Sequence, residues 1–174
     1  DNYGDLQQPD WATWPLEKRR AKAQELLADA GFDSDRPLAF TLRYDGAGTN
    51  RRVCIVVAGM WRLVGVRANL QTTDTKVHFV DLKSGNFDVG RLGIAGKVYS
   101  AETVLQIFED DQPRVNPGRY RSSKFTELMN QARRSTDRAA RGLLMRRASA
   151  IVMNDYAVAP MYYYVSRSLV QTYV

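Results

Sequence analysis

The strongest constraint on this chain is an alternation of two hydrophobic periods across its middle. Residues 38–44 (LAFTLRY) alternate and are rich in β-formers, and a glycine-containing loop, DGAGTN, follows. Residues 51–63 are apolar enough for a mostly buried helix that ends at Gly65. Residues 66–73 (VRANLQTT) return to a strand pattern, and residues 76–82 fit a short helix. Residues 87–94 form the next strand, and residues 101–108 a helix that opens near Glu102. Strands alternating with helices predict an α/β layered domain, a sheet flanked by helices.

The flanks extend this pattern. Residues 1–13 are polar, carry Gly4 and Pro9, and suggest a loop or cut edge. From Pro15, PLEKRRAKAQELLADAGF fits one amphipathic helix with Leu16, Ala23, Leu26, Leu27 and Ala30 facing inward and Gly31 as terminator. After the polar loop EDDQPRVNPGRYRSS come two more helices. Phe125, Leu128, Met129 and Ala132 share a face of the first. Ala140, Leu143, Leu144, Ala148, Ile151 and Val152 line the second, capped by Thr136 or Asp137. A β-rich run follows Pro160; Tyr162, Tyr163 and Tyr164 alternate faces there, and core packing is their expected role. No internal repeat interrupts residues 1–174, which are expected to form one domain.

Composition excludes several classes. Hydrophobic residues make up 44% and charged residues 25%, the balance of a globular chain rather than a disordered one. No apolar run approaches the roughly 20 residues of a membrane helix. A net charge of +6 permits a polyanion partner. Much of that excess, Arg133, Arg134, Arg138, Arg141, Arg146 and Arg147, falls on what reads as solvated helix faces, among alanines rather than stacking aromatics. A small basic nucleic-acid module is therefore the weaker alternative, from a different class.

Chemistry-bearing residues are sparse. Cys54 is the one cysteine, placed in an apolar run, so it forms no internal disulfide and reads as a buried thiol. His78 is the one histidine and has no nucleophile motif beside it. Glu109, Asp110 and Asp111 lack calcium-loop spacing and are expected in a solvated loop. Glu17 and Glu25 belong on a helix surface. No catalytic constellation, metal site or cofactor motif is expected, and the chain does not read as an enzyme.

One segment invites a nucleotide: FDVGRLGIAGKVYS, residues 87–100. A phosphate-binding P-loop needs G-x-x-x-x-G-K-[ST]; here five residues separate Gly90 from Gly96, and Val98 stands where the hydroxyl belongs. The dinucleotide pattern G-x-G-x-x-G fails too, because the spacing is G-x-x-G-x-x-G. The glycines instead suggest a strand end at which a ligand's main chain approaches the backbone.

Six blocks in order then carry a resemblance: LLADAGF, PLAFTLRYD, VVAGMWRLVGV, FDVGRLG, YRSSKFTELM and APMYYYVSRSLV. Over residues 11–174 the chain resembles the periplasmic oligopeptide-binding proteins, the peptide-class (family 5) extracellular solute-binding components of ABC importers. The resemblance implies one lobe of a type II periplasmic-binding-protein-like fold, with a mixed sheet flanked by helices. Family members are longer and two-lobed, so this chain is expected to be most of the C-terminal lobe, an excised or mature piece that begins without Met. Alone, it is expected to bind ligand weakly or not at all. The implied partners are a peptide or peptide-like ligand, the missing N-terminal lobe and the permease subunits of the importer. The implied location is the periplasm.

Site residues carry over unevenly. By resemblance, Arg91 matches an arginine that pairs with the ligand carboxylate for some peptide lengths. Ile94 and Ala95 match positions whose backbone lies along the peptide. Lys97 falls where peptide binders carry the aspartate that receives the α-amino group, and a lysine there repels an ammonium. Asn50 and Leu82 replace a histidine and an arginine that help hold carboxyl ends. Arg91 with Lys97 suggests an anionic or amino-blocked ligand as the alternative to an ordinary peptide; with the loop shifted in register, Lys97 points to solvent instead.

Overall fold

The computed structural model describes residues 9–94, 100–109 and 116–163. Its sheet has three parallel strands, β1 (Ala39–Asp45), β2 (Arg67–Thr73) and β3 (Val89–Gly90), in the order β2-β1-β3. β1 pairs with β2 from Ala39 opposite Arg67 to Asp45 opposite Thr73. β3 adds only Leu42 opposite Val89 and Arg43 opposite Gly90, so the strand expected over 87–94 is far shorter than its pattern. Gly90 sits there because a Cβ would stand 2.4 Å from Leu82 Cδ2 and 3.2 Å from Phe87 Cδ2. At this glycine the space goes to a neighbouring helix, not to a ligand.

Three helices flank or precede these strands. α1 (Leu16–Asp29) starts after Pro15, and Gly31 follows it with φ 83°. Its expected inward stripe is only partly covered by described residues: Ala23 and Leu27 are half-buried, whereas Leu16, Leu26 and Ala30 are exposed. α2 (Asn50–Arg62) buries Asn50, Cys54 and Ala58 but leaves Ile55, Val56 and Met60 exposed. It is therefore half-buried rather than mostly buried, because the sheet covers only one of its sides. α3 (Thr75–Ser84) is capped by the Asp74 carboxylate on the Lys76 amide at 2.9 Å and stops at left-handed Gly85.

Two hydrophobic clusters result among the described residues. Leu42, Tyr44 and Cys54 form the first, with Trp61, Ala68 and Val89 against it. Phe40 meets Trp61 edge-on, with ring centroids 5.2 Å apart. The second joins α4 (Ala101–Leu105), α5 (Ser123–Arg134) and α6 (Arg138–Asn154) through Leu105, Phe125, Met129, Ala132, Met145, Ala148 and Val152. The α5 face is the one its periodicity predicts. On α6 the buried face is Gly142, Met145, Ala148 and Val152, and Leu143 is exposed. Steps of three and four lead from Met145 to Ala148 and Val152, whereas Leu143 lies five residues before Ala148 and points elsewhere.

Two further expectations change. Glu109 is buried rather than solvated, and Arg133 Nη2 donates to its Oε1 at 2.5 Å; Asp110 and Asp111 lie outside the described residues. Tyr162 and Tyr163 are exposed, the latter at 92%, so neither packs in the core, and Tyr164 lies outside the described residues. Most of the β-rich run after Pro160 lies outside them as well.

Candidate functional site at the carboxyl edge of the sheet

The strand order places a crevice where chemistry can gather. From central β1 the chain moves to β2 on one side, then crosses to β3 on the other. Ligands of open parallel sheets bind beyond the carboxyl ends of the strands at such a reversal. β1 ends on Asp45, and Arg91 follows directly after β3, so these two side chains stand at the same edge of neighbouring strands. Helices that follow parallel strands begin at that edge, which brings in Asn50, the first residue of α2, and Thr75, the first of α3. Together with Phe79, Gly93 and Ile94 they line an open recess of about 240 Å³.

Arg91 is held at every level. Its amide donates to the Arg43 carbonyl at 2.8 Å, extending the β1–β3 pairing by one bond. His78 Nε2 lies 2.8 Å from its carbonyl oxygen. Its guanidinium reaches Asp45 Oδ2 through Nη1 at 3.4 Å and the Tyr162 hydroxyl through Nη2 at 3.5 Å. Asp45 Oδ1 accepts from Asn50 Nδ2 at 2.9 Å and from the Ala47 amide at 3.1 Å. Both members of the Asp45–Arg91 pair have side chains only 7% exposed. Burial by itself pushes the Asp45 carboxyl up; the Asn50 and Ala47 hydrogen bonds and the Arg91 charge outweigh it and bring the group below its ordinary range. Asp45 is thus an ionised carboxylate at neutral pH. The neighbouring Arg43 pairs with Asp81 of α3, which ties that helix to the sheet beside the recess.

A second recess, of about 300 Å³, shares Phe79, Gly93 and Ile94 with the first. Leu82, Leu92, Ile107 and Pro117 make its walls mainly apolar, and Lys83, Thr103 and Gln106 add polar groups.

Of the residues singled out from sequence, the structure brings Arg91, Ile94 and Asn50 to one recess. Ala95 and Lys97 lie outside the described residues. Leu82 is buried beneath Gly90 and faces the second recess. Sequence reasoning missed Asp45, Thr75 and Phe79. Asp45 carried a usable signal, because it closes a strand immediately before a glycine loop, where parallel α/β folds place ligand-facing groups. Among the described residues, no group of three or more histidine, cysteine, aspartate or glutamate side chains is placed to hold a metal ion. No helix among them is long and apolar enough to cross a membrane.

Parallel strands feeding helices, with an open recess at the carboxyl edge, define an α/β domain. Residues 2–115 match the family model of the bacterial extracellular solute-binding proteins, family 5, middle region. The chain belongs to that family. It is 32% identical over 170 residues to the periplasmic oligopeptide-binding protein of Salmonella typhimurium, covering 97% of this chain and 31% of that protein. It is 27% identical over 161 residues to a probable deoxycholate-binding periplasmic protein of Escherichia coli, covering 92% of this chain and 30% of that one. The crystal structure of the Haemophilus influenzae oligopeptide-binding protein in complex with RPPGFSPFR superposes with a TM-score of 0.87 at 25% identity, over 91% of this chain and 31% of that chain. The chain therefore spans about a third of the length of these relatives.

Proposed function

We propose that this chain is most of one lobe, the C-terminal one, of a substrate-binding component that captures oligopeptides or peptide-like solutes for an ABC importer. The ligand lies between this lobe and the remainder of the protein, and closure of the two delivers it to the permease. The working location is the periplasm, where the Salmonella relative acts by its name. The observation that carries this reading is the recess itself. Asp45, Asn50, Thr75 and Arg91 supply polar groups, Phe79 and Ile94 supply apolar surface, and all of them converge at the carboxyl edge of the sheet. Few polar groups amid apolar surface is how small-ligand sites fix orientation while tolerating varied side chains. Arg91, Ile94 and Asn50 are the proposed contacts on this lobe, joined by Ala95 and Lys97, which follow Ile94 in the sequence.

A second reading, a non-peptide anionic or amino-blocked solute, is supported by the relative whose name gives deoxycholate, a carboxylate that is not a peptide. Lys97, in place of an acid, agrees with it. The basic nucleic-acid module loses ground, since Arg133 and Arg141 donate to Glu102 and Glu109 within the chain.

The test is mass spectrometry of small molecules released by denaturing the gene product that carries this chain. Oligopeptides are expected, and a peptide mixture should raise its unfolding temperature. Release of bile-acid-like carboxylates instead selects the second reading. No bound solute together with steeply salt-dependent binding to DNA or RNA overturns both.

A further inference from the structure

We propose that Asp45 is a specificity-determining residue: a resident carboxylate that fills the seat Arg91 would otherwise offer to a ligand's carboxyl group. The inference deepens the proposed function and rests on the recess being the ligand site. Three sources of positive potential meet there. One is the Arg91 guanidinium; the others are the first turn of α2 at Asn50, which has no side-chain cap, and the first turn of α3 at Thr75, which the Asp74 carboxylate already offsets in part. A carboxylate is what such a place attracts, and the chain supplies its own. The Ala47 amide, the Asn50 side chain and Arg91 Nη1 all donate to Asp45, filling three of about four acceptor positions on that group.

A ligand carboxylate entering here meets a guanidinium already engaged, and a like charge beside it. Opposed like charges in a desolvated site select strongly against a partner. The hydrogen bonds that hold Asp45 ionised also deny it the easy relief of taking up a proton at neutral pH. The free acceptor position on Asp45 instead suits a neutral or cationic donor: an amide, a hydroxyl, a blocked carboxyl end or an amine. Arg91 then acts as the counter-charge that keeps Asp45 in place, and any anionic end of the ligand is bound elsewhere in the cleft.

The experiment uses the gene product that carries this chain, as wild type and as Asp45→Asn, which keeps the shape and the acceptor for Asn50 and Ala47. Trialanine and trialanine amide are titrated into both by calorimetry. Wild type is expected to bind the amide at least as tightly as the acid, and Asp45→Asn to shift the acid-to-amide ratio toward the acid by about tenfold. A wild-type preference of about tenfold for the acid overturns the proposal without any variant, as does an unchanged ratio in Asp45→Asn. In a parallel arm, thermal unfolding is followed in sodium acetate against sodium chloride of equal ionic strength. An acetate-specific, saturable stabilisation is expected in Asp45→Asn alone; an equal response in both proteins overturns the proposal. If neither peptide binds, peptide capture fails, and the acetate arm still decides the role of Asp45.

Discussion

His78 and Arg91 are joined through a buried hydrogen bond, Nε2 of the ring lying 2.8 Å from the arginine's carbonyl oxygen. A carbonyl only accepts, so the proton sits on Nε2, and Nδ1 faces the interior without a hydrogen-bond partner among the described residues. The lone histidine, 1% exposed, is thus a support for the backbone that presents Arg91. His78→Leu keeps most of the volume but orphans the Arg91 carbonyl, and is expected to cost about 1–3 kcal/mol. His78→Gln, whose amide nitrogen can donate, should recover part of that loss. Urea unfolding midpoints decide it; a leucine variant as stable as wild type removes the hydrogen bond from the account.

Gly90 is the point where β3 touches α3. A methyl group at this position points at Leu82 Cδ2, 2.4 Å away, and at the Phe87 ring. Gly90→Ala is therefore expected to destabilise by about 1–3 kcal/mol through overpacking. The cause is separable from any general aversion to change at a strand end. Leu82→Ala should relieve the clash, so the double variant loses less than the sum of the two single losses. Strict additivity in a double-mutant cycle would sink the explanation.

The places of β1, α2, β2 and α3 were legible because period and punctuation agree there: an alternating strand, an apolar helix ended by Gly65, and a return to a strand pattern. The Asp74 cap and the Gly85 stop, which extend α3 beyond residues 76–82, came from the structure. The α5 face was legible because Phe125, Met129 and Ala132 repeat at one helical spacing. What failed depends on neighbours. Leu16 and Leu26 have the apolar character of a buried face, yet about half of each stays exposed among the described residues. Glu109 reads as loop solvent chemistry until Arg133, 24 residues away, is brought against it. The site divides the same way. Arg91 stands out by its place on a glycine-rich strand end, but that Asp45 holds it, across 46 residues of sequence, depends on strand order.

Two capping residues were open for α6, and the structure chooses Asp137, whose Oδ1 accepts from the Ala139 amide at 2.8 Å. Thr136 precedes the cap. Asp137→Ala should lower stability by about 1 kcal/mol, both through the lost bond and through the lost charge at the positive end of the helix. Thr136→Ala should stay within about 0.5 kcal/mol of wild type. Thermal melts of the two variants side by side test the choice, and equal losses would count against it.

Glu102 ties three helices of the second cluster together. Its Oε1 accepts from Arg133 Nε on α5 at 2.9 Å, and its Oε2 from Arg141 Nη2 on α6 at 2.5 Å. The Arg133 hydrogen bond leads in pulling its carboxyl below the ordinary range, against a smaller opposing push from burial, and Arg141 adds to the fall. A folded-state value below the unfolded value of about 4.3 stabilises the fold at every pH above that value. That contribution fades as pH falls toward the folded value and is gone below it. Both arginines are two-fifths exposed, so solvent screening holds it to about 0.5–1 kcal/mol at neutral pH. Asp45 is lowered too and loses stability in the same direction, so the wild-type curve alone does not isolate Glu102. Its difference from Glu102→Gln does. Urea unfolding of the pair from neutral pH to about pH 3 should show a gap that closes with acidification and narrows in high salt. A gap that stays constant down to the lowest pH would mean that Glu102 contributes by packing and hydrogen bonding rather than by its charge.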